Sequence, residues 1–343
     1  MKAAIITPYY YPAVRGNAVT VRRIERHLRE AGCDVRVFSL DVLSATELEQ
    51  EIALFAPDVV HGFHGYLGGR VARIVSRDLG IPDIITLTGS DVYEALVDTR
   101  KTETHAVLRE AAALVVFHKS VKKRLVEHCP TLAEKTVIIP QGVELLGDDC
   151  GGLGGFPFPV GKFTFLLPAG LRPVKNVLFP LEPLAALHAA DSRVRFILAG
   201  PVLDPSYAAN VMGELEKYPF AHYLGGVGHD SIGCLYKKAD VVLNTSLFEG
   251  GMANSVLEAM AFAKPVIASD IEGNRSIVTD GETGFLCRTP ADFREKAGRL
   301  LGDEALRQHV GDKGRQFVFE HFPPQRETDA YLELYEAVRG RDS

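Results

Sequence analysis

Residues Asn244 to Ser269 read NTSLFEGGMANSVLEAMAFAKPVIAS. The apolar run Val241–Asn244, which leads into them, predicts a buried strand that ends in a glycine-rich loop. A helix is predicted from about Asn254, and Val266–Ala268 predicts a second strand. Strand, helix and strand in this order make the repeating unit of a parallel sheet. Glu249 opens the loop and Glu258 lies one turn into the helix. Glycines let a ligand approach the backbone, and a helix N-terminus offers free N–H groups and partial positive charge. Phosphates bind in such places. Carboxylates beside them accept hydrogen bonds from the hydroxyls of a sugar or ribose. The segment therefore suggests a sugar nucleotide.

The same alternation extends in both directions. Upstream, strands are predicted at Ala3–Thr7, Val35–Ser39, Val59–Gly62, Ile84–Leu87, Leu114–Phe117 and Val137–Ile139, with helical periodicity between them. Residues 145–162, LLGDDCGGLGGFPFPVGK, are rich in Gly, Asp and Pro and break the pattern, which predicts a linker. The alternation then restarts with Phe163–Leu167, Phe196–Ala199, His222–Leu224, Val241–Asn244, Val266–Ala268 and Phe285–Leu286. The last part of the chain is helical apart from Pro323-Pro324. The fold class is α/β, with two doubly wound Rossmann-like parallel-sheet domains facing a cleft, ligands lying at the carboxyl ends of the strands. The domains are expected at 1–145, joined by a C-terminal helix at about 324–343, and at 162–323, with a linker at 146–161.

Composition sets limits on partners. The chain has 343 residues, 46% hydrophobic and 24% charged, with a formal net charge of −6. Nucleic acid is therefore not expected as a partner, whereas peripheral membrane contact is allowed. The five cysteines show no paired spacing, so neither a disulfide nor a zinc site is expected, and a reduced, cytoplasmic protein is. No apolar run reaches the roughly 18 residues of a membrane span. The oligomeric state has no signature.

Several strand ends carry chemistry. Arg172 and Lys175 follow Gly170 in AGLRPVKN. Two cations there suit a diphosphate, Arg as a fork and Lys as a point charge, although exposed loop charges are the plainer alternative. Gly200, Gly226 and Val227 end the next two strands, in loops that either line a base pocket or simply turn. Glu258 sits on a helix that is apolar nearly all round, so its carboxylate needs a partner, which substrate hydroxyls would supply. Gly16 and Asn17 open the first helix, as a phosphate or acceptor contact or as a turn. Thr88 and Asp91 lie in TLTGSDVY, with a helix cap as the alternative for Asp91. His61 and His64 end the third strand, and a structural role is favoured for both. With no DxD triad and no His/Cys cluster, no metal site is expected. No GxGxxG precedes an acid on a strand, which tells against a dinucleotide oxidoreductase.

Together, GLRPVK, EGG…LEAMA…PVIAS, SDIEGNRSIV and DGETGFL resemble the retaining GT-B glycosyltransferases of the family 4 type. RGNAVTVRRIERHLREAG, LTGSDVY and IPQGVE extend the resemblance through the first half. The resemblance implies a hexosyl- or N-acetylhexosaminyltransferase that works without a metal or cofactor. It would take a nucleotide diphosphate sugar, a UDP-sugar by preference, and an acceptor that is a small molecule, a glycan or a lipid. Arg172 and Lys175 would hold the diphosphate, and Glu249 would contact the transferred sugar, assisted by backbone N–H groups of Gly250, Gly251 and Met252. Ala253 and Asn254 complete that loop, and Glu258 would hold the ribose. Thr88, Asp91 and His64 are candidate acceptor or donor contacts. The chain departs from the family in three places. The Glu249–Glu258 spacing is one residue longer than usual, which predicts a bulged loop. Thr88 stands where many members have histidine, and Ser276 where many have glutamate. A non-catalytic nucleotide-sugar-binding protein of the same fold is the alternative these departures raise.

Overall fold

The computed structural model describes residues 1–11, 16–94, 96–147, 149–153, 158 and 161–340. The chain divides into two compact units, Met1–Gly142 with Pro324–Ser343, and Val143–Pro323. Each is built on a six-stranded parallel sheet.

In the first unit the strands are β1 (Lys2–Thr7), β2 (Asp34–Ser39), β3 (Val59–Phe63), β4 (Asp83–Thr86), β5 (Ala113–Val116) and β6 (Thr136–Ile138), in the order β2-β1-β3-β4-β5-β6. Central strands such as β1, whose Ala3, Ala4, Ile5 and Ile6 are wholly buried, are apolar on both faces because helices cover both faces. The helix Pro324–Arg339 packs against the helix Gly16–Glu30. Their contact holds a two-pronged ion pair, with Arg23 donating to both oxygens of Glu327 at 2.9 and 3.0 Å. Both side chains are nearly buried, so the paired geometry is what makes the charges tolerable there. The wholly buried Tyr331 and Tyr335 of the same helix reach the sheet. His61 lies 2.7 Å from the Tyr335 hydroxyl through Nδ1 and 2.7 Å from Thr86 Oγ1 through Nε2. His61 is therefore a core residue, as its sequence context favoured.

In the second unit the strands are β7 (Phe163–Pro168), β8 (Val194–Ala199), β9 (Ala221–Tyr223), β10 (Val241–Asn244), β11 (Val266–Ser269) and β12 (Phe285–Cys287). Their order is β12-β11-β10-β7-β8-β9, so β7 and β10 are neighbours at the centre. The loops after β7 and β10 thus leave the sheet side by side. The helix Asn254–Ala261 follows β10 and packs against the long helix Glu304–His321. Their approach is close because a Cβ on Gly311 would lie 2.2 Å from the Ala263 carbonyl oxygen.

One expectation is overturned. Cys150 and Cys234 form a disulfide. They are 84 residues apart, and only the fold brings the turn Cys150–Leu153 onto the helix His229–Lys238, where Gly233 N also donates to the Gly147 carbonyl at 3.2 Å. Cys33, Cys129 and Cys287 are free thiols. Of the expected linker, residues 148, 154–157, 159 and 160 lie outside the described residues. Among the described residues no helix is long and apolar enough to cross a membrane.

Candidate active site

The site begins where the central strands of the second unit stop. Ala169 N donates to Ala199 O, Leu171 N to Pro201 O and Gly200 N to Gly225 O, each at 2.8 Å. This lattice continues the sheet past its last regular residues and brings Gly170, Gly200 and the segment Gly225–Val227 together. Gly200 cannot be anything else, since a Cβ there would sit 2.1 Å from the Ala169 carbonyl oxygen. Gly225, with φ of 78°, turns the chain out of β9.

Beyond Gly170 the chain enters a short helical turn, Pro173–Lys175. Leu247 N donates to the Val174 carbonyl at 2.9 Å, and Thr245 Oγ1 to the Lys175 carbonyl at 2.9 Å. These bonds fasten the loop after β7 to the loop after β10. Lys175 Nζ then lies 2.6 Å from Glu249 Oε1. The same oxygen accepts from Ser246 Oγ at 2.6 Å and from Asn244 Nδ2 at 3.2 Å. Burial pushes the Glu249 carboxyl up. The charge of Lys175 and the hydrogen bonds from Lys175, Ser246 and Asn244 outweigh it, so the group sits below the usual carboxylate range and is ionised at neutral pH. Glu249 Oε2 accepts no hydrogen bond among the described residues, and the side chain keeps 13% exposure. Arg172, in contrast, is exposed, and its side chain is bonded to none of the described residues.

The loop from Glu249 to Ala253 is held from below by Gly273. A Cβ there would approach the Gly251 carbonyl oxygen to 2.5 Å and Glu249 Cβ to 2.7 Å. Gly251 has φ of 154°, which L side chains rarely adopt. Glu249 turns inward to Lys175, Asn244 and Ser246. Gly251, Met252 and Ala253 are buried, and Gly250 is partly buried. The Ala253 carbonyl accepts the N–H groups of Val256 and Leu257, so the helix starts at Asn254, as its composition predicts.

Glu258 departs from expectation. Its carboxylate was left to substrate hydroxyls, but Oε2 accepts from the Tyr236 hydroxyl at 2.7 Å. Tyr236 is wholly buried on the neighbouring helix, and a buried phenol needs an acceptor. Burial, with the nearby Glu258 charge and its hydrogen bond, holds the phenol well above its ordinary pKa. Asn244, Ser246 and Tyr236 escaped sequence reading because nothing but the fold places them beside the two glutamates. So did Asn274, wholly buried, whose Nδ2 donates to Asn244 Oδ1 at 3.2 Å.

In the first unit, Asp91 is wholly buried and its oxygens accept from the backbone N–H groups of Gly65, Thr88, Gly89 and Val92 at 2.7–3.1 Å. It ties the loop after β3 to the loop after β4, which corrects its assignment as a ligand contact. His64 is nearly buried with φ of 72°, a costly backbone for a non-glycine residue. Its Nδ1 faces the N–H groups of Tyr66 and Leu67 and so accepts, which leaves Nε2–H to donate to Ser90 Oγ at 3.0 Å. Thr88 is half-buried beside this knot. Gly16 and Asn17 open the first helix, with Asn17 Nδ2 donating to Thr7 Oγ1 at 3.4 Å.

Two parallel six-stranded units with such strand-end sites constitute the GT-B fold. One match is to the Anabaena protein HepE, solved with UDP and glucose, at TM-score 0.82 over 98% of this chain and 99% of that one, with 17% identity. Sucrose-phosphate synthase of Thermosynechococcus elongatus matches at TM-score 0.80 over 99% of both chains, with 19% identity. Residues 162–303 match the family model of glycosyl transferases group 1. Over 327 residues, 93% of each chain, the protein is 28% identical to glycosyltransferase 1 domain-containing protein 1 of Xenopus tropicalis. The resemblance to group 1 glycosyltransferases thus lies in residues 162–303 of the second unit, and the chain is a glycosyltransferase.

Proposed function

We propose that the chain transfers a sugar from a UDP-sugar to an acceptor, with retention of anomeric configuration and without a metal ion. The observation that carries this is the ionised Glu249 held by Lys175, Asn244 and Ser246 where the loops after β7 and β10 meet. In this reading Lys175 swings part of its charge from Glu249 to the donor diphosphate, and the exposed Arg172 closes on it as a fork. Both offset the charge that grows on the leaving diphosphate, which is where electrostatic stabilisation acts in such a transfer. Glu249 Oε2 accepts from a hydroxyl of the transferred sugar, and Glu258, oriented by Tyr236, accepts from the ribose. The acceptor attacks from the face the diphosphate leaves, and a phosphate oxygen takes its proton. Thr88 and His64, at the ends of β4 and β3, are assigned to the acceptor side. The choice of UDP draws on HepE, which was solved with UDP and with UDP-glucose. Among the described residues no group of three or more His, Cys, Asp or Glu side chains is placed to hold a metal, and the cations fill that electrostatic role.

The test is calorimetric titration with UDP- and GDP-sugars, with nucleotide release assayed alongside. Lys175→Ala and Glu258→Gln are each expected to weaken UDP-sugar binding at least about tenfold, the worth of one charge-assisted hydrogen bond. Unchanged binding and release in both variants sinks the assignment. A product with inverted anomeric coupling by NMR, or activity abolished by a chelator, overturns the mechanism while leaving the donor site standing.

A further inference from the structure

A cavity of about 430 Å³ opens in the second unit, and none of the residues assigned to the donor lines it. It is lined by the apolar Leu145, Leu146, Ala261 and Phe262 and by the basic Lys237, Lys264 and Arg315. Among the described residues no acidic side chain lines it. In a chain of net charge −6 this is an unusual grouping. Lys264 and Arg315 form no ion pair with any described residue. Lys264 Nζ instead donates to the Lys237 carbonyl at 3.0 Å, which fixes it at the cavity wall. Burial lowers its pKa, with Asp240 acting in the opposite sense, so the ammonium has lost part of its hydration without gaining a paired anion. The segment that carries Leu145 and Leu146 is tied to the helix His229–Lys238 by the Gly233–Gly147 hydrogen bond and the Cys150–Cys234 disulfide.

We propose that this cavity is a second ligand site, for a phosphate monoester that carries a short apolar chain. Arg315 as a fork and Lys264 as a point charge suit a divalent head better than a carboxylate. The apolar lining residues and the volume suit a chain of several carbons. The site is joined to the donor machinery through one ring. Phe262 stacks on Tyr236 with centroids 5.6 Å apart and planes 23° apart, and Tyr236 holds Glu258 at 2.7 Å. A ligand that presses on Phe262 therefore acts on the residue that orients Glu258.

Hexyl phosphate, titrated into the full chain by calorimetry, tests the site. Saturable binding is expected, weakened at least about tenfold in the double variant Lys264→Gln with Arg315→Gln. Binding is expected to persist in Lys175→Ala and with UDP present, so a failure of the donor assignment and a failure of this one give different results. No saturable binding, equal binding by the double variant, displacement by UDP, or inorganic phosphate binding as tightly as the ester would each overturn the proposal. Saturating hexyl phosphate is also expected to shift UDP affinity at least about threefold by linkage, and an unmoved affinity overturns the connection through Phe262. Sedimentation with phosphatidate vesicles separates the sources: retention on them puts the phosphate on a lipid, and hexyl phosphate binding without retention puts it on a soluble ester.

Discussion

Glu249 and Glu258 show how one residue type serves two ends in one site. Glu249 is held in part by the cation Lys175, and Glu258 accepts from the neutral phenol of Tyr236. Lys175 and two neutral donors keep Glu249 ionised and rigid, whereas the Tyr236 phenol gives Glu258 one strong neutral bond and a fixed rotamer. The position that controls the first of these is a residue with no side chain. Gly273 lies under the Glu249 loop so closely that one added methyl group must displace either the Gly251 carbonyl or Glu249 itself. Gly273→Ala is therefore expected to lower stability by roughly 1–3 kcal/mol, the usual cost of overpacking. It is also expected to weaken donor binding by pulling Glu249 off Lys175. Urea denaturation reads the first effect and calorimetry the second. A variant of native stability and native donor affinity would show that the loop yields without moving its carboxylate.

At the scale of elements, the strands were the legible part. All twelve were predicted within a few residues, because a strand covered on both faces must be an unbroken apolar run and the chain writes it as one. Glycines and charges at strand ends were equally visible, and the structure places Lys175 against Glu249 where the loops after β7 and β10 meet. Contacts between elements were not visible. The disulfide, the Tyr236–Glu258 bond and the Asp91 knot each join residues that are remote in sequence or whose local context allows two roles. Helix packing belongs to the same class. Gly311 and Gly213 are both helical glycines, yet a Cβ at Gly311 meets the Ala263 carbonyl oxygen at 2.2 Å while one at Gly213 meets nothing within 4 Å. Gly311→Ala must separate the helices Asn254–Ala261 and Glu304–His321 and is expected to cost roughly 1–3 kcal/mol or more. Gly213→Ala is expected to gain about 0.5–1 kcal/mol, because alanine loses less backbone entropy on folding. Thermal unfolding of the pair decides it: equal shifts would mean that the close packing carries no constraint.

For the molecule as a whole, pH bears on stability most directly through the core of the first unit. His61 is wholly buried between the sheet and the helix Pro324–Arg339, and burial pushes its pKa down to about 3. In the unfolded chain an imidazole titrates near 6.5. Between these values the unfolded state binds a proton that the folded state refuses. Stability from this group is therefore complete above about pH 6.5 and falls by roughly 1.4 kcal/mol for each pH unit below it. Between pH 7 and pH 5 the loss is roughly 2 kcal/mol, and it requires only that the folded pKa lie below 5. Since Tyr335 and Thr86 fill both ring nitrogens, glutamine can answer both hydrogen bonds without titrating. His61→Gln is expected to be less stable than the parent at pH 7 and to close roughly 2 kcal/mol of that gap at pH 5. The comparison uses urea denaturation followed by circular dichroism at both pH values, so that carboxylates common to the two proteins cancel. A gap that stays the same width at pH 5 would show that His61 charges without unfolding the first unit, and would place a proton inside a core that the structure shows packed with tyrosines.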